Sequence, residues 1–383
     1  MRAGDTITDG GVVWKVIDTR VNGFIGEVPN FYERSELFVP NRTTITTPTK
    51  MMVNVNNKGY IGTAVTLNLN ATASWDSSST SYATAANRAG KDCYIYVCEQ
   101  DGDIPKILLS ANSTVPAGYN AATSRKIGGF HCLCLSVGTI SGHQLSGYNT
   151  GDILPLSVWD LKHRPKSDPE GMVYVAGIGR WYDIYLASWN GAKLVSKYGG
   201  TVADGASSPN WHGEKFAEYI GLVGKQLMFR HEFMVVAKGS NELTNINGSR
   251  DYGTTGGHVD TANRRMISNY GLEDCCGFMW QWVNDTHENY LAPGGNATTY
   301  KGAYWNDAAR TYLDGYSWQD APVYSQSVDG ETKYGSSYGL LRRSFVGGAW
   351  GYGSVCGSRS VSCYGFSASV YGHIGARGSC EPA

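Results

Sequence analysis

Eight histidines stand at positions 131, 143, 163, 212, 231, 258, 287 and 373, and no two are closer than twelve residues. That spacing excludes a His-x₃-His ligand pair, and His231-Glu232 lacks the second histidine that a zinc protease helix needs. The nine cysteines contain no Cys-x-x-Cys: Cys275 and Cys276 are adjacent, and Cys356 and Cys363 are seven apart. Neither spacing reads as a structural zinc site. Gly335-Ser-Ser-Tyr-Gly339 matches the nucleophile-elbow pattern around Ser337, yet it lies in a Gly/Ser/Tyr-rich loop without the flanking strand and helix. Gly224-Lys225 lacks the upstream glycine of a phosphate-binding loop. No catalytic residue, metal ligand or cofactor site is expected.

Another feature is more telling. The thirty residues from Gly351 to Cys380 use only Gly, Ser, Tyr, Val, Cys, Arg, Phe, Ala, His and Ile. All ten can be encoded by codons ending in a pyrimidine, and most are reached from an Asn codon by replacing its adenines. Adenine-directed mutagenesis of an Asn-rich template would leave such a stretch; so would a Gly/Ser/Tyr-biased β-hairpin. Tyr, Ser and Gly are also the residues of antibody-like paratopes, where rigid amphipathic rings supply area and small residues supply adaptability. Both clues point to a recognition surface.

The elements that would hold such a surface are mostly strands. Among 383 residues are 49 Gly, 25 Tyr and 11 Trp, a bias toward short strands and tight turns. Val12–Ile17 follows Asp9-Gly10-Gly11, a hairpin signal, and Pro29, Pro40 and Pro48 break the first 55 residues too often for helix. Thr63–Leu69 alternates with Val65, Leu67 and Leu69 on one face, and Cys93–Cys98 reads as a strand. Cys93 and Cys98 should face opposite ways on that strand, whereas Cys132 and Cys134 should share a face as buried thiols. Two helices are expected. One carries Phe216, Ile220 and Val223 and stops at Gly224; the other carries Phe233, Val236 and Ala237 and ends at Gly239. From there to about residue 340 the polar, Gly/Asn/Tyr-rich composition suggests long ordered loops.

Composition narrows the function classes. A net charge of −1 argues against nucleic acid as the main partner, and no apolar run approaches a membrane span. The first residues show no apolar segment of a secretory signal, so no secretory signal is expected.

Gly347-Gly-Ala-Trp350, Gly357-Ser-Arg359 and Gly375-Ala-Arg-Gly378 with Cys380 resemble the C-terminus of the variable proteins of diversity-generating retroelements, in their phage tropism-determinant branch. Upstream counterparts include Ser124–His131, Trp159–Pro165, Asp183–Leu186, Ala203–Pro209, Gly224–Leu227 and Trp280-Gln-Trp282, so the likeness spans roughly residues 90–383.

The resemblance implies an α+β chain. A C-terminal C-type lectin fold of the formylglycine-generating-enzyme type would follow all-β domains, a β-prism-like N-terminal region and a β-sandwich. The divisions are 1–55 for trimerisation and attachment, 56–150 for the sandwich, and 151–383 for the lectin domain, with a variable region about 344–380. Trp280, Trp282 and Trp350 would then be buried scaffold, and Arg359 and Arg377 would tie loops together through hydrogen-bond forks. Carried across by position, the variable ligand-binding sites are Ala349, Gly351, Tyr352, Gly353 and Val355, then Ser362, Tyr364 and Gly365, then Ser369, Tyr371, His373 and Ile374. Cys356 and Cys363 depart from the family pattern, as a local disulfide or as tolerated core changes.

The implied protein is a homotrimeric receptor-binding protein at a phage tail tip, a virion component contacting a host bacterial surface protein or other receptor and other phage tail proteins. Two alternatives use the same fold: a formylglycine-generating-type oxidase, which needs a closely spaced thiol pair, and a fixed-specificity lectin or adhesin. The gene decides between diversification and fixed specificity. Sequencing its surroundings should reveal a near-copy of codons 344–380, with Asn codons at the variable sites, beside a reverse transcriptase; finding neither would remove the diversification reading.

Overall fold

Alternation along one strand organises the middle of the chain. In Asp92–Gln100 the residues Cys93, Ile95 and Val97 enter one core, with Ile45, Leu67, Leu69, Trp75, Ile127 and Phe130. Tyr94, Tyr96 and Cys98 enter another, with Trp159, Met172, Trp181 and Cys380. Both faces are therefore covered, which is why this strand reads as a continuous apolar run. Cys93 and Cys98 do face opposite ways.

The computed structural model describes residues 6–9, 12–17, 32–55, 58–62, 64–100, 104–207, 209–248, 253–290, 325–328, 331–334, 339–363, 367–368 and 370–383. The protein is mostly β, with few helices. A five-stranded antiparallel sheet runs in the order Thr6–Asp9, Val12–Ile17, Lys58–Gly62, Met51–Val55, Tyr32–Glu33. Asp9 pairs with Val12, as the Gly10-Gly11 hairpin signal requires. A division at residue 55 would run through a hairpin, because Met51–Val55 pairs with Lys58–Gly62.

The next layers are a three-stranded sheet (Val39–Asn41, Thr44–Thr46, Thr66–Asn68) and a four-stranded sheet (Ile104–Ser110, Asp92–Gln100, Ser124–His131, Trp159–Asp160). The second sheet thus draws a strand from beyond residue 150. Cys132 and Cys134 are buried but share no face: Ser124–His131 has ended before them, and the chain carries Cys132 into the first core and Cys134 into a core farther along.

The C-terminal region holds two four-stranded sheets. One orders Met172–Val175, Arg180–Asp183, Gly378–Cys380 and Gln226–Leu227; the other orders Gly357–Ser362, Gly339–Gly347, Trp280–Tyr290 and Ile374–Ala376. Helix Gly213–Leu222 starts where His212 Nδ1 accepts the Lys215 amide at 3.3 Å; it buries Phe216 and Ile220, and Gly224 turns the chain away with φ +74°. Helix Arg230–Val236 has Glu232 accepting the Phe229 amide at 2.8 Å and buries Phe233 and Val236.

The described residues between 240 and 279 lack long regular elements, as composition suggests, but Trp280–Tyr290 is an eleven-residue strand inside the stretch that composition reads as loop. Its first four residues are all buried, Gln281 included, so polar composition hides the strand from a hydrophobicity count. Gln281 meets its hydrogen-bonding needs internally: Nε2 donates to the Cys275 carbonyl at 2.8 Å and Oε1 accepts Arg377 Nε at 3.2 Å.

Arg377 is fully buried. Its guanidinium donates to the carbonyls of Asp183 (2.7 Å), Ile184 and Glu273 as well as to Gln281, so one planar fork holds three other chain segments. Asp183 completes the joint by accepting Lys225 Nζ at 2.6 Å and the Gly378 amide at 3.0 Å. Arg359 takes no such role: it is exposed on an outer strand and has no hydrogen-bond partner among the described residues. A second buried chain of contacts links the middle and C-terminal regions. Asp92 meets His131 Nδ1 at 2.9 Å, His131 Nε2 meets Tyr185 Oη at 3.0 Å, and Arg265 pairs with Glu273 at 2.7 Å deeper in.

Arg377→Met keeps the volume but takes the guanidinium donors away from three buried carbonyls and Gln281, and should cost about 3 kcal/mol of folding stability. A chemical-denaturation midpoint like the parent's would refute the role assigned to this fork.

Candidate functional site

Two glycines end strand Gly339–Gly347 in left-handed conformations, Gly347 at φ +94° and Gly348 at φ +82°. Neither site has room for a side chain: a Cβ at 347 would lie 2.5 Å from the Cys275 carbonyl oxygen, and one at 348 would lie 2.6 Å from Cys356 Sγ. Glycine therefore makes the sharp turn that lifts the next residues out of the sheet.

Backbone bonds hold the segment after the turn. The Trp350 amide donates to the Phe278 carbonyl at 3.0 Å, and Asn245 Nδ2 donates to the Trp350 carbonyl. A short 3₁₀ turn, Gly353–Val355, comes next, with the Tyr352 amide on the Ala349 carbonyl at 3.0 Å. Cys356 then returns to the interior, and its carbonyl accepts the Leu243 amide at 2.8 Å.

The sequence-derived site residues divide by depth. Gly351, Tyr352 and Val355 are exposed, Tyr352 at 45% and Val355 at 55%. Gly353, Ser362, Tyr371 and His373 are half-buried. Ala349 and Ile374 are corrected by their burial, at 0% and 1%. Ala349 bridges to Phe278 under the turn, and Ile374 pairs in parallel with Trp280, so both side chains belong to the core. Tyr364, Gly365 and Ser369 lie outside the described residues, as does Ser337.

Three rings from two stretches of the C-terminal region, around residues 352 and 371–373, meet over a buried floor. Tyr352 packs edge-on against Trp280 with ring centroids 5.4 Å apart, His373 lies 6.3 Å from Tyr352, and Tyr371 lies 5.7 Å from His373. Trp280 is itself buried, edge-to-face with Phe345 at 5.2 Å, and Trp282 is buried beside the same ring at 5.3 Å. Trp350 is half-buried against the same core. The backbone under the rings is fixed from below, with the Trp280 amide on the His373 carbonyl at 3.0 Å and the Gly205 amide on the Tyr371 carbonyl at 3.1 Å.

All nine cysteines are buried free thiols, so Cys356 and Cys363 form no local disulfide. Cys356 Sγ lies 3.4 Å from the Ala349 carbonyl, and Cys363 Sγ lies 3.6 Å from Ser344 Oγ. Burial pushes the Cys356 thiol up to about 11 and Cys275 to about 12, away from the thiolate that nucleophilic chemistry needs. Among the described residues, no group of three or more His, Cys, Asp or Glu side chains is arranged to hold a metal ion.

Sequence reasoning missed the loop Asn241–Asn245, whose residues clamp the variable stretch from more than 100 positions upstream. Glu242 accepts the Ser358 amide at 3.1 Å, and Gly357 lets that carboxylate lie against the backbone. No local pattern signals this loop; only the tertiary fold brings it there.

Similarity to known proteins is extensive. Residues 43–160 match the family described as the Mtd second domain. The chain is 32% identical over 324 residues to the tail fiber receptor-binding protein of Bordetella phage BPP-1, covering 79% of this chain and 74% of that protein. Its fold is similar to the solved structures of the Major Tropism Determinant U1 variant (TM-score 0.66, 25% identity) and M1 variant (0.65, 26%), in each case over 100% of this chain and 95% of the other.

Gly348→Ala places a methyl group on Cys356 in a backbone region that L-residues avoid. It should lower unfolding stability by about 2 kcal/mol and alter the near-ultraviolet circular dichroism of the ring cluster. Parent-like stability and spectrum would show that the turn does not depend on glycine.

Proposed function

The chain belongs to the major tropism determinant family of phage tail fiber receptor-binding proteins, and from that premise we propose that it binds host-surface receptors through the side chains displayed around Tyr352. It is a tail component of the virion, and retroelement diversification is implied by the family. The finer reading has a C-type lectin fold over about residues 151–383 carrying the variable region 344–380, with a β-sandwich and a β-prism-like N-terminal region before it.

One observation carries this reading: Tyr352, His373 and Tyr371 converge over Trp280 from two separated stretches of the variable region. The floor beneath them is made of buried residues and backbone bonds, so outward side chains can change without disturbing it. Gly351, Tyr352, Gly353, Val355, Ser362, Tyr371 and His373 are the described positions proposed for ligand contact, together with Tyr364, Gly365 and Ser369.

Binding rather than turnover also agrees with the thiols. An oxidase of the formylglycine-generating type would need a reactive cysteine, and burial raises Cys356 instead. Three copies in a homotrimer, attached to the tail through the N-terminal region, would multiply weak single-site contacts into avidity of ~10²–10⁴ over one site.

Tyr352→Ala tests the reading. Truncating an aromatic anchor should cost about 2 kcal/mol, or roughly thirtyfold in single-site affinity for the surface of a strain the phage adsorbs to. Folding stability should stay near the parent's. Undiminished adsorption by Tyr352→Ala and by Tyr371→Ala together would overturn the assignment.

A further inference from the structure

Among the described residues, the non-glycine positions with positive φ are Lys50, Asn210, Leu243, Asn263 and Asp274. Asn and Asp tolerate this region because their short polar side chains bond locally; a branched apolar side chain does not. Leu243, at φ +58°, is the one apolar residue of the five. It is also 68% exposed, so burial of its side chain does not compensate for the strain. A strained conformation persists only where its surroundings impose it.

Those surroundings are the proposed ligand surface. The Leu243 amide bonds the carbonyl of Cys356, the residue after exposed Val355. The preceding Glu242 accepts the Ser358 amide through both carboxylate oxygens, at 3.1 and 3.2 Å. On the other side Asn245 holds the Trp350 carbonyl, and Asn241 Nδ2 braces the loop by donating to the Thr244 carbonyl at 2.8 Å. The loop thus grips both ends of Trp350–Ser358 and holds exposed Leu243 against the backbone of Cys356, the residue that follows exposed Val355. Leu243 itself lies outside the variable region of about 344–380.

We propose that Leu243 is a fixed apolar contact of the receptor-binding surface, engaging the same host-surface ligand as Tyr352 and Val355 whatever residues the variable positions carry. This inference rests on the ligand-binding reading above. A constant apolar anchor would supply a floor of affinity to which the variable side chains add specificity, and its partner is an apolar patch at the centre of the receptor's contact face.

The test uses the full chain with Leu243→Gly, Leu243→Asn and, for reference, Tyr352→Ala, each titrated against intact cells of a strain the phage adsorbs to. Both Leu243 substitutions suit the left-handed backbone, so folding should be retained and Leu243→Gly should unfold at the parent's temperature or above it. Cell binding by both should weaken roughly tenfold, with unchanged oligomeric mass. Parent-like binding by both Leu243 variants beside a weakened Tyr352→Ala would sink the inference and leave the ligand surface standing. Parent-like binding by all three would remove the ligand surface as well. A changed oligomeric mass would make Leu243 a subunit contact, and a lowered unfolding temperature would make it a structural residue; either result overturns the proposal.

Discussion

The guanidinium of Arg377 is the joint on which the C-terminal region is assembled. Four donors of one rigid plane reach Asp183 and Ile184, Glu273, and Gln281, three segments that lie about 100 to 190 residues upstream of the arginine. Three of the four acceptors are backbone carbonyls, so the joint fixes the path of the chain and not merely the rotamers of its neighbours. A buried cation is tolerable only when every donor finds an acceptor and charge of opposite sign is near. Asp183, whose carbonyl takes one of these donors, uses its carboxylate to hold Lys225 and the Gly378 amide.

From this joint the frame extends to the recognition face through the two strands that Gln281 and Arg377 bring together. Trp280–Trp282 pairs in parallel with Ile374–Ala376, and that pairing determines which side chains near the C-terminus point inward. Ile374 goes to the core; His373, one residue earlier, joins the surface rings. Ala349 marks the same divide at the other end of the face, pinned beneath the Gly347-Gly348 turn while Tyr352 emerges three residues later. The division between buried frame and exposed surface is therefore a matter of single residues. It is kept sharp by period-two alternation and by glycine where no side chain fits.

The frame is continuous with the layers before it. Tyr94, Tyr96 and Cys98 of the middle sheet share a core with Trp181 and Cys380, and His131 reaches from Asp92 to Tyr185 across the same boundary. Paired polar groups in a low-dielectric interior constrain orientation more than apolar contact alone, because a misplaced partner leaves a buried group unsatisfied. The recognition face thus has a defined orientation relative to the layers that precede it.

Composition and local pattern were enough to identify the hairpin that pairs Asp9 with Val12, the strand around Cys93–Cys98, and both helices with their glycine stops. Each of these depends on residues close in sequence, whose periodicity or turn chemistry acts locally. The burial of Ala349 and Ile374, the separation of Cys132 from Cys134 and the exposure of Arg359 came only with the tertiary structure, and the strand at Trp280–Tyr290 is invisible to composition. The grip of Asn241–Asn245 on the variable stretch likewise came only with the tertiary structure. In each case the deciding partner lies far away in the chain: Phe278 for Ala349, Trp280 for Ile374, Arg377 for Gln281, Cys356 and Ser358 for the upstream loop. A residue's own type and its neighbours determine what contacts it can make; which face of the molecule it occupies is set by long-range pairing, and no local pattern carries that information.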